Sequence, residues 1–369
     1  MNAVIQRVSF PKGRRVVAVS DIHGCLDVFK ALLKKVSFCP DDILVLVGDV
    51  LEKGTQSLET IRFLLGLSQT HTVYKVVGNV DILYEDIFED FTRENGETLM
   101  SYLLRRDRAQ GILHQMSREI DFPINETMDL VRWRKALLDR FPQELNFLRG
   151  WPHILESEKL IFVHAGLTAA PLEEQQAWQC RKNDDFMAQG LSFPKMVVVG
   201  HWPVSIYGRD NLVNQNPCVS REQNICSIDG GMAIKHYGQL NALIMQDGDP
   251  EQMSFVYESP FPWVTALDAQ EESVEPVSIV WGRDRQLVEK LDHMGDFTLC
   301  RQIATGRTLW VSDGMLYMDG KGRLCSGDET DFHPAVRPGD RFQLLEETSR
   351  GYRVLFQGIL GWYGGRIRR

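Results

Sequence analysis

The chain has 369 residues, 43% of them hydrophobic and 25% charged, with a formal net charge of -9. That length allows two domains, each able to bury a core without disulfides, and the acidic balance argues against a nucleic-acid or anionic-membrane partner. Seven scattered cysteines with no CxxC pair exclude a zinc ribbon, and no signal-peptide or membrane-length apolar run is read, so a reducing, cytoplasmic location is expected.

Arg15–Ser20 (RVVAVS) reads as a buried strand that stops at Asp21. Leu26–Val36 has helical apolar spacing, Ile43–Val47 is a second strand ended by Gly48-Asp49, Ser57–Leu65 is a helix, and Val73–Val77 is a third strand ended by Gly78-Asn79. Strands that are apolar at consecutive positions are buried on both faces. The β-α-β-α-β order therefore predicts an α/β fold with helices over the sheet. From Asp81 to Gly150, charges interleave with leucines and aromatics at helical spacing, which predicts a helical insertion at about 82–150. It either covers an edge of the core or caps a substrate site. Strands resume at Leu160–Val163, Met196–Val199, Ile225–Ile228 and Leu240–Met245. Thr265–Val277 is acidic and aperiodic, so 265–277 is read as a linker between a first domain, 1–264, and an all-β domain, 278–369.

Six polar residues follow the apolar runs: Asp21 and His23 in SDIHG, Asp49 in VGDV, Asn79 in VGNVD, His164 in FVHAG and His201 in VGHWP. In open α/β sheets, ligands bind beyond the carboxyl ends of the strands. Imidazoles with carboxylates make a mixed N/O set suited to Mn, Fe or Zn. A strand-end carboxylate such as Asp49 is suited to bridging two ions.

These blocks resemble the calcineurin-like metallophosphoesterase superfamily, and most nearly its bacterial serine/threonine phosphoprotein-phosphatase branch. The branch pattern is GDxHG, GDxVDRG, GNHE, HAG or HGG, then GHTP. Here SDIHG, GDVLEKG, GNVD, VHAG and GHWP follow in the same order over about Arg15–Met245. The resemblance implies a four-layer α/β/β/α core and two divalent metal ions (Mn, Fe or Zn). It places Asp21, His23 and His201 on the first ion, Asp49 between the ions, and Asn79 and His164 on the second, with His153 as a further ligand. It implies hydrolysis of a phosphomonoester, in a phosphoprotein or small molecule, by a metal-bridging hydroxide. Lys53, Arg181 and Arg209 are the candidates for holding the phosphate, with Lys182 or Arg105–Arg106 as competitors. Asp81 would steady a neighbouring ligand, and Asp229 in SIDGG would be structural.

The sequence departs from the pattern at the acid. The GNH histidine is Val80, the aspartate that orients it is Glu52, and the phosphate-holding arginine is Lys53. Loss of a general acid costs about 10²–10⁴-fold, but little when the leaving group is already acidic, such as a phenolate or a nucleotide phosphate. Within the insertion His114 is the only histidine that would restore an acid. Two other readings stay open: a phosphodiesterase of the GNxD type, and a pseudo-phosphatase scaffold that binds a protein partner through its C-terminal domain. Cys25 and Cys226 read as small buried hydrophobes. The segment VRPGDRFQLLEE to GYRVLFQGILGWYGGRI resembles a bacterial SH3-like barrel, with Tyr352, Phe356, Trp362 and Tyr363 as core or as a peptide or glycan groove.

Overall fold

The structure is a computed structural model that describes residues 1–82, 98–282 and 286–369, the side chain of Asp210 excepted. The chain divides into two compact units. The first comprises Met1–Trp202, Pro217–Ile234 and Leu240–Glu258; the second comprises Pro203–Asn216, Lys235–Gln239 and Ser259–Arg369.

Strands of the first unit are β1 (Ile5–Arg7), β2 (Arg15–Val19), β3 (Ile43–Val47), β4 (Thr72–Val76), β5 (Ile154–Glu156), β6 (Leu160–Val163), β7 (Met196–Val199), β8 (Cys218–Ser220), β9 (Ile225–Ser227), β10 (Leu240–Gln246) and β11 (Met253–Glu258). They form a five-stranded sheet, β11-β10-β2-β3-β4, and a six-stranded sheet, β1-β5-β6-β7-β9-β8. Successive side chains of a strand point to opposite faces, and here both faces are apolar. Val16, Ala18, Ile43, Val45 and Val47 meet Leu155, Leu160, Phe162, Met196 and Val198 between the two sheets. Val17, Val19, Leu44 and Leu46 face outward into a cluster with α1 (Leu26–Lys35) and α2 (Ser57–Leu67). On the far side, Ile161, Val163, Val197 and Val199 pack on Leu167, Cys180 and Phe186, near the short α7 (Ala177–Arg181). The result is an α/β/β/α stack.

The insertion supplies α3 (Leu99–Leu104), α4 (Ile112–Glu119), α5 (Leu130–Arg140) and α6 (Pro142–Leu148). Asp129 caps α5 by accepting the Val131 and Arg132 N–H groups at 3.0 and 3.1 Å. Leu103, Ile112, Met116, Trp133 and Leu137 join the outer cluster of the five-stranded sheet, so these helices cover the core. The beginning of the expected insertion, at 83–97, lies outside the described residues.

In the second unit the strands are β12 (Trp263–Ala266), β13 (Ser278–Ile279), β14 (Val288–Met294), β15 (Phe297–Gln302), β16 (Thr308–Ser312), β17 (Leu316–Met318), β18 (Leu324–Ser326), β19 (Glu329–Thr330), β20 (Arg341–Thr348), β21 (Gly351–Phe356), β22 (Ile359–Tyr363) and β23 (Ile367–Arg368). Two expectations are corrected here. Thr265 and Ala266 belong to β12, which pairs with β20 and β23, and Gln270 bridges Val336, so 265–277 does not begin as a free linker. An SH3-like barrel is not confirmed either: β20, β21, β22 and β23 lie with β12 in one five-stranded sheet, whose closure is not shown, and the remaining strands make a three-stranded and two two-stranded sheets. The apolar residues make separate clusters accordingly. One holds Val264, Phe342, Val354 and Tyr363; the other holds Ile279, Val288, Cys300 and Val311. Trp362 and Tyr363 are buried and Tyr352 and Phe356 half-buried, which puts these aromatics in or against the core. Among the described residues no helix is long and apolar enough to cross a membrane.

Candidate metal centre

Strands β2, β3 and β4 run parallel, as do β6 and β7, so each sheet delivers its strand ends to one edge. The polar residues beyond those ends come together. Asp21, His23 and Asp49 form one group of ligand atoms within 4.8 Å of one another, and Asp49, His164 and His201 form a second. Asn79 joins the second through Oδ1, 3.2 Å from His164 Nε2. Four of these residues have left-handed backbones, with φ of 52° at Asp21, 50° at His23, 50° at Asp49 and 65° at His201. For a residue with a Cβ that conformation costs about 1–3 kcal/mol, and such strain concentrates at functional sites. Crowding is equally local: a Cβ on Gly78 would lie 2.1 Å from Asp49 Oδ1.

Backbone carbonyls orient two of the imidazoles. His23 Nδ1 is 3.1 Å from the Leu51 carbonyl and His164 Nδ1 is 3.0 Å from that of Val47. A carbonyl only accepts, so Nδ1 carries the hydrogen in both rings and Nε2 is turned into the cluster. His23 Nε2 then lies 3.8 Å from both Asp21 Oδ1 and Asp49 Oδ2. His23 Nε2 and Asp21 Oδ1 are buried and make no hydrogen bond among the described residues. Orphans of this kind cost about 1–3 kcal/mol each, and a divalent ion satisfies both. Asp49 splits its oxygens, Oδ2 toward His23 and Oδ1 toward His164 Nε2 at 3.3 Å. A carboxylate divided between two N/O groups suits two ions that share one ligand, and the residues present fit a pair of divalent ions.

The charges are coupled. Burial pushes the Asp21 carboxyl well above the usual range, and the Asp229 carboxylate adds to the rise. Burial holds the His23 imidazole below its usual value. Burial also opposes the His164 cation, yet the Asp49 charge and hydrogen bond push it up to about 10. Against burial, His164 and then His23 hold Asp49 well below the usual carboxylate range.

Two placements implied by the resemblance are corrected. His201 sides with Asp49 and His164, its ring centroid 5.1 Å from that of His164. Only its backbone N–H goes to Asp21, donating to Oδ2 at 3.0 Å. Its Nε2 meets Asp184 Oδ1 at 2.8 Å, leaving Nδ1 as the ring atom for an ion. His153 is in neither group: its Nδ1 accepts the Val4 N–H at 3.1 Å, and burial followed by the Arg181 charge brings its pKa down to about 4. His201 is the further histidine grouped with Asp49 and His164.

Lys53 (φ 67°) is solvent-exposed, yet neighbouring protein atoms and then the Arg108 cation draw its ammonium below the usual value, while Asp49 and Glu52 act the other way. Arg181 is buried on α7 and acts on His153. Lys182 reaches the His201 side, its Nζ 2.9 Å from Asp184 Oδ1. Arg209 lies in the second unit, where its guanidinium donates to the Asn216 carbonyl at 2.6 Å. Arg105 donates to both Asp107 oxygens, at 3.0 and 2.7 Å. His114 meets the Leu103 carbonyl beside Arg118. Asp81 makes its hydrogen bonds to the backbone and not to a ligand side chain. It accepts the Val50 and Leu51 N–H groups at 3.0 and 3.2 Å and that of Gly78 at 3.0 Å, and burial, then the Asp49 charge, pushes it up to about 7. Asp184 and Arg108 went unassigned in the sequence, since both lie in polar stretches away from strand ends.

A family model described as calcineurin-like phosphoesterase matches residues 14–224. A symmetrical bis(5'-nucleosyl)-tetraphosphatase of Salmonella paratyphi C is 28% identical over 179 residues, 48% of this chain and 51% of that protein. The corresponding protein of Pectobacterium atrosepticum is 33% identical over 143 residues, 38% of this chain and 50% of its own length. The chain thus spans about half the length of these curated relatives. A solved structure described as a proposed diadenosine tetraphosphatase has 20% identity and a TM-score of 0.45, covering 70% of this chain and 99% of its own. The relatives correct the branch expected from the motif blocks, since they are symmetrical tetraphosphatases and not serine/threonine phosphoprotein phosphatases. With the family model matching more than half of its residues and two ligand groups meeting at Asp49, the chain belongs to the calcineurin-like phosphoesterase family.

Proposed function

We propose that the protein is a dinuclear-metal phosphoesterase whose substrate leaves as an acidic phosphate group. One observation carries this reading: the Val80 N–H donates to Asp49 Oδ1 at 3.1 Å. Position 80 thus adjoins the bridging carboxylate with a side chain that has no proton to give. An alcohol leaving as alkoxide needs a proton from an acid, whereas a phosphate leaving from an anhydride needs none. The curated relatives are named for bis(5'-nucleosyl) tetraphosphates, which are anhydrides of this kind, and this supports the same substrate class here.

Two bound divalent ions supply a nucleophile from water at neutral pH and positive charge for the phosphoryl oxygens. The side chains fix the arrangement. His23 and His164, pinned at Nδ1 by carbonyls, present Nε2; Asp49 presents one oxygen to each group; Asp184 holds the His201 ring by Nε2. Lys53 offers a point charge to the phosphate, with Arg181 the second cation named by the resemblance.

The test is turnover by the Mn-reconstituted protein of a bis(5'-nucleosyl) tetraphosphate, p-nitrophenyl phosphate and bis-p-nitrophenyl phosphate, with Asp49→Asn as control. Fastest turnover of the tetraphosphate, lost in the control, is expected. Turnover confined to the monoester or the diester would replace the substrate class. No turnover, with fewer than two ions held per chain, would overturn the hydrolase and favour a protein-binding scaffold.

A further inference from the structure

Arg108 lies in the turn between α3 and α4, with its side chain 15% exposed. Its guanidinium sits 4.9 Å from the centroid of the Tyr102 ring. Two carboxylates are near it, and both are already engaged. Glu52 Oε2 is 3.9 Å from a terminal nitrogen of Arg108, but Glu52 accepts the Ile112 N–H at Oε1 (2.9 Å) and the Tyr102 hydroxyl at Oε2 (3.0 Å). Asp107 Oδ2 is 3.4 Å from Arg108 Nε, but Asp107 takes both prongs of Arg105 at 3.0 and 2.7 Å. Arg108 Nε is buried and makes no hydrogen bond among the described residues. A largely buried guanidinium short of acceptors is costly unless an anion completes it, and phosphate oxygens match its fork.

The place of this cation gives it meaning. Glu52 is three residues after the bridging Asp49 and directly precedes Lys53. Lys53 senses both Arg108 and Asp49. Lys53 sits on the loop that carries Asp49, and Arg108, delivered by the insertion, comes to Glu52 on that same loop. A single phosphoryl group seated on two ions and Lys53 does not need Arg108 as well. We infer that Arg108 binds the second phosphate of a phosphoanhydride chain, next to the phosphate held at the metal centre. This rests on the phosphoesterase reading and deepens it, because it makes the insertion the part of the chain that selects substrates with more than one phosphate.

The experiment measures binding and not turnover. ADP and AMP are titrated calorimetrically into the Mn-loaded protein and into Arg108→Ala, Arg108→Lys and Arg105→Ala. Arg108→Ala is expected to bind ADP about ten- to a hundredfold more weakly, the loss of charge-assisted hydrogen bonds, and AMP less than about threefold more weakly. Arg108→Lys keeps the charge without the fork and falls between; if the alanine variant does not fold, the lysine variant carries the test. Arg105→Ala frees Asp107 to pair with Arg108 and should also weaken ADP binding, by less than Arg108→Ala. Equal losses for ADP and AMP, or none for ADP, would overturn the inference. Wild-type turnover of a tetraphosphate with ADP affinity indifferent to Arg108 sinks this inference alone. Absent turnover with an Arg108-dependent preference for ADP sinks the substrate reading alone.

Discussion

Glu52 accepts the backbone N–H of Ile112 at 2.9 Å, a hydrogen bond that ties the loop carrying Asp49 to the first turn of α4. The first N–H groups of a helix lack partners within it, and the positive end of its dipole favours a carboxylate. Glu52 is buried, and its second oxygen takes the Tyr102 hydroxyl at 3.0 Å. The residue that the resemblance sets beside a catalytic acid here joins the centre to the insertion. Glu52→Ala leaves a buried N–H and a buried hydroxyl without their acceptor and should cost about 2–4 kcal/mol in urea unfolding, while Glu52→Gln should cost less than half of that. Gly111→Ala should resemble Glu52→Ala, since a Cβ there would lie 2.3 Å from Glu52 Oε2. A Glu52→Ala protein as stable as the wild type would show that the tether carries no energy.

Asp184 holds the His201 ring from outside the ligand set, at 2.8 Å from Nε2, and Lys182 shares the same carboxylate oxygen at 2.9 Å. Partners of this kind fix tautomer and ring orientation, and their loss typically costs about 10–100-fold in metal affinity. The Asp184 side chain is 48% exposed, which favours the lower end of that range. Asp184→Ala should weaken one of two Mn sites about tenfold in a binding titration and leave the other within about twofold. Equal weakening of both sites would assign Asp184 to overall stability.

How much of this was readable beforehand depends on what each feature requires. Runs such as ILVLV show that both faces of a strand are buried, which yields a sheet covered by helices, while the stacking of two sheets followed only from the resemblance. A polar residue directly after such a run is placed by the strand itself, so Asp21, Asp49, Asn79, His164 and His201 could be assigned to one edge. Which neighbour each one meets was not readable. The backbone N–H of His201 reaches Asp21, but its ring turns to His164 and Asp184. Asp184, Arg108 and the Glu52 tether depend on how loops and the insertion come to rest, and no periodicity records that. The branch was misjudged because the shared motif blocks describe the metal centre and not what surrounds it.

In the second unit, Arg353 and Glu329 are fully buried and meet at 2.6 Å. The guanidinium also donates to the Tyr237 hydroxyl at 2.7 Å and lies 4.8 Å from the Trp362 ring centroid. Removing one member of such a pair strands the other charge and costs about 3–5 kcal/mol, whereas replacing both with apolar residues of similar volume is often neutral. Arg353→Met alone should therefore destabilise the unit severely, and Glu329→Leu with Arg353→Met should recover most of the loss. Chemical unfolding of the single and double variants checks this. A double variant no more stable than the single would mean that the pair specifies the local packing.

His153 gives a pH dependence whose sign follows from geometry. Its Nδ1 accepts the Val4 N–H, which requires a neutral ring, and Arg181 adds like-charge repulsion to the cation. Burial, then Arg181, brings its folded-state pKa down to about 4, from an unfolded value of about 6.5. Between those values the unfolded chain binds more protons, so this residue favours unfolding as pH falls from about 6.5 toward 4, and its contribution is complete above 6.5. The ring is only half-buried, so solvent screening holds the effect to about 1 kcal/mol. His153→Asn keeps an acceptor near the Val4 N–H and cannot titrate. Its unfolding free energy, measured from pH 7 to pH 4.5, should decline less steeply than that of the wild type. Parallel slopes would place the proton uptake of acid unfolding on other groups.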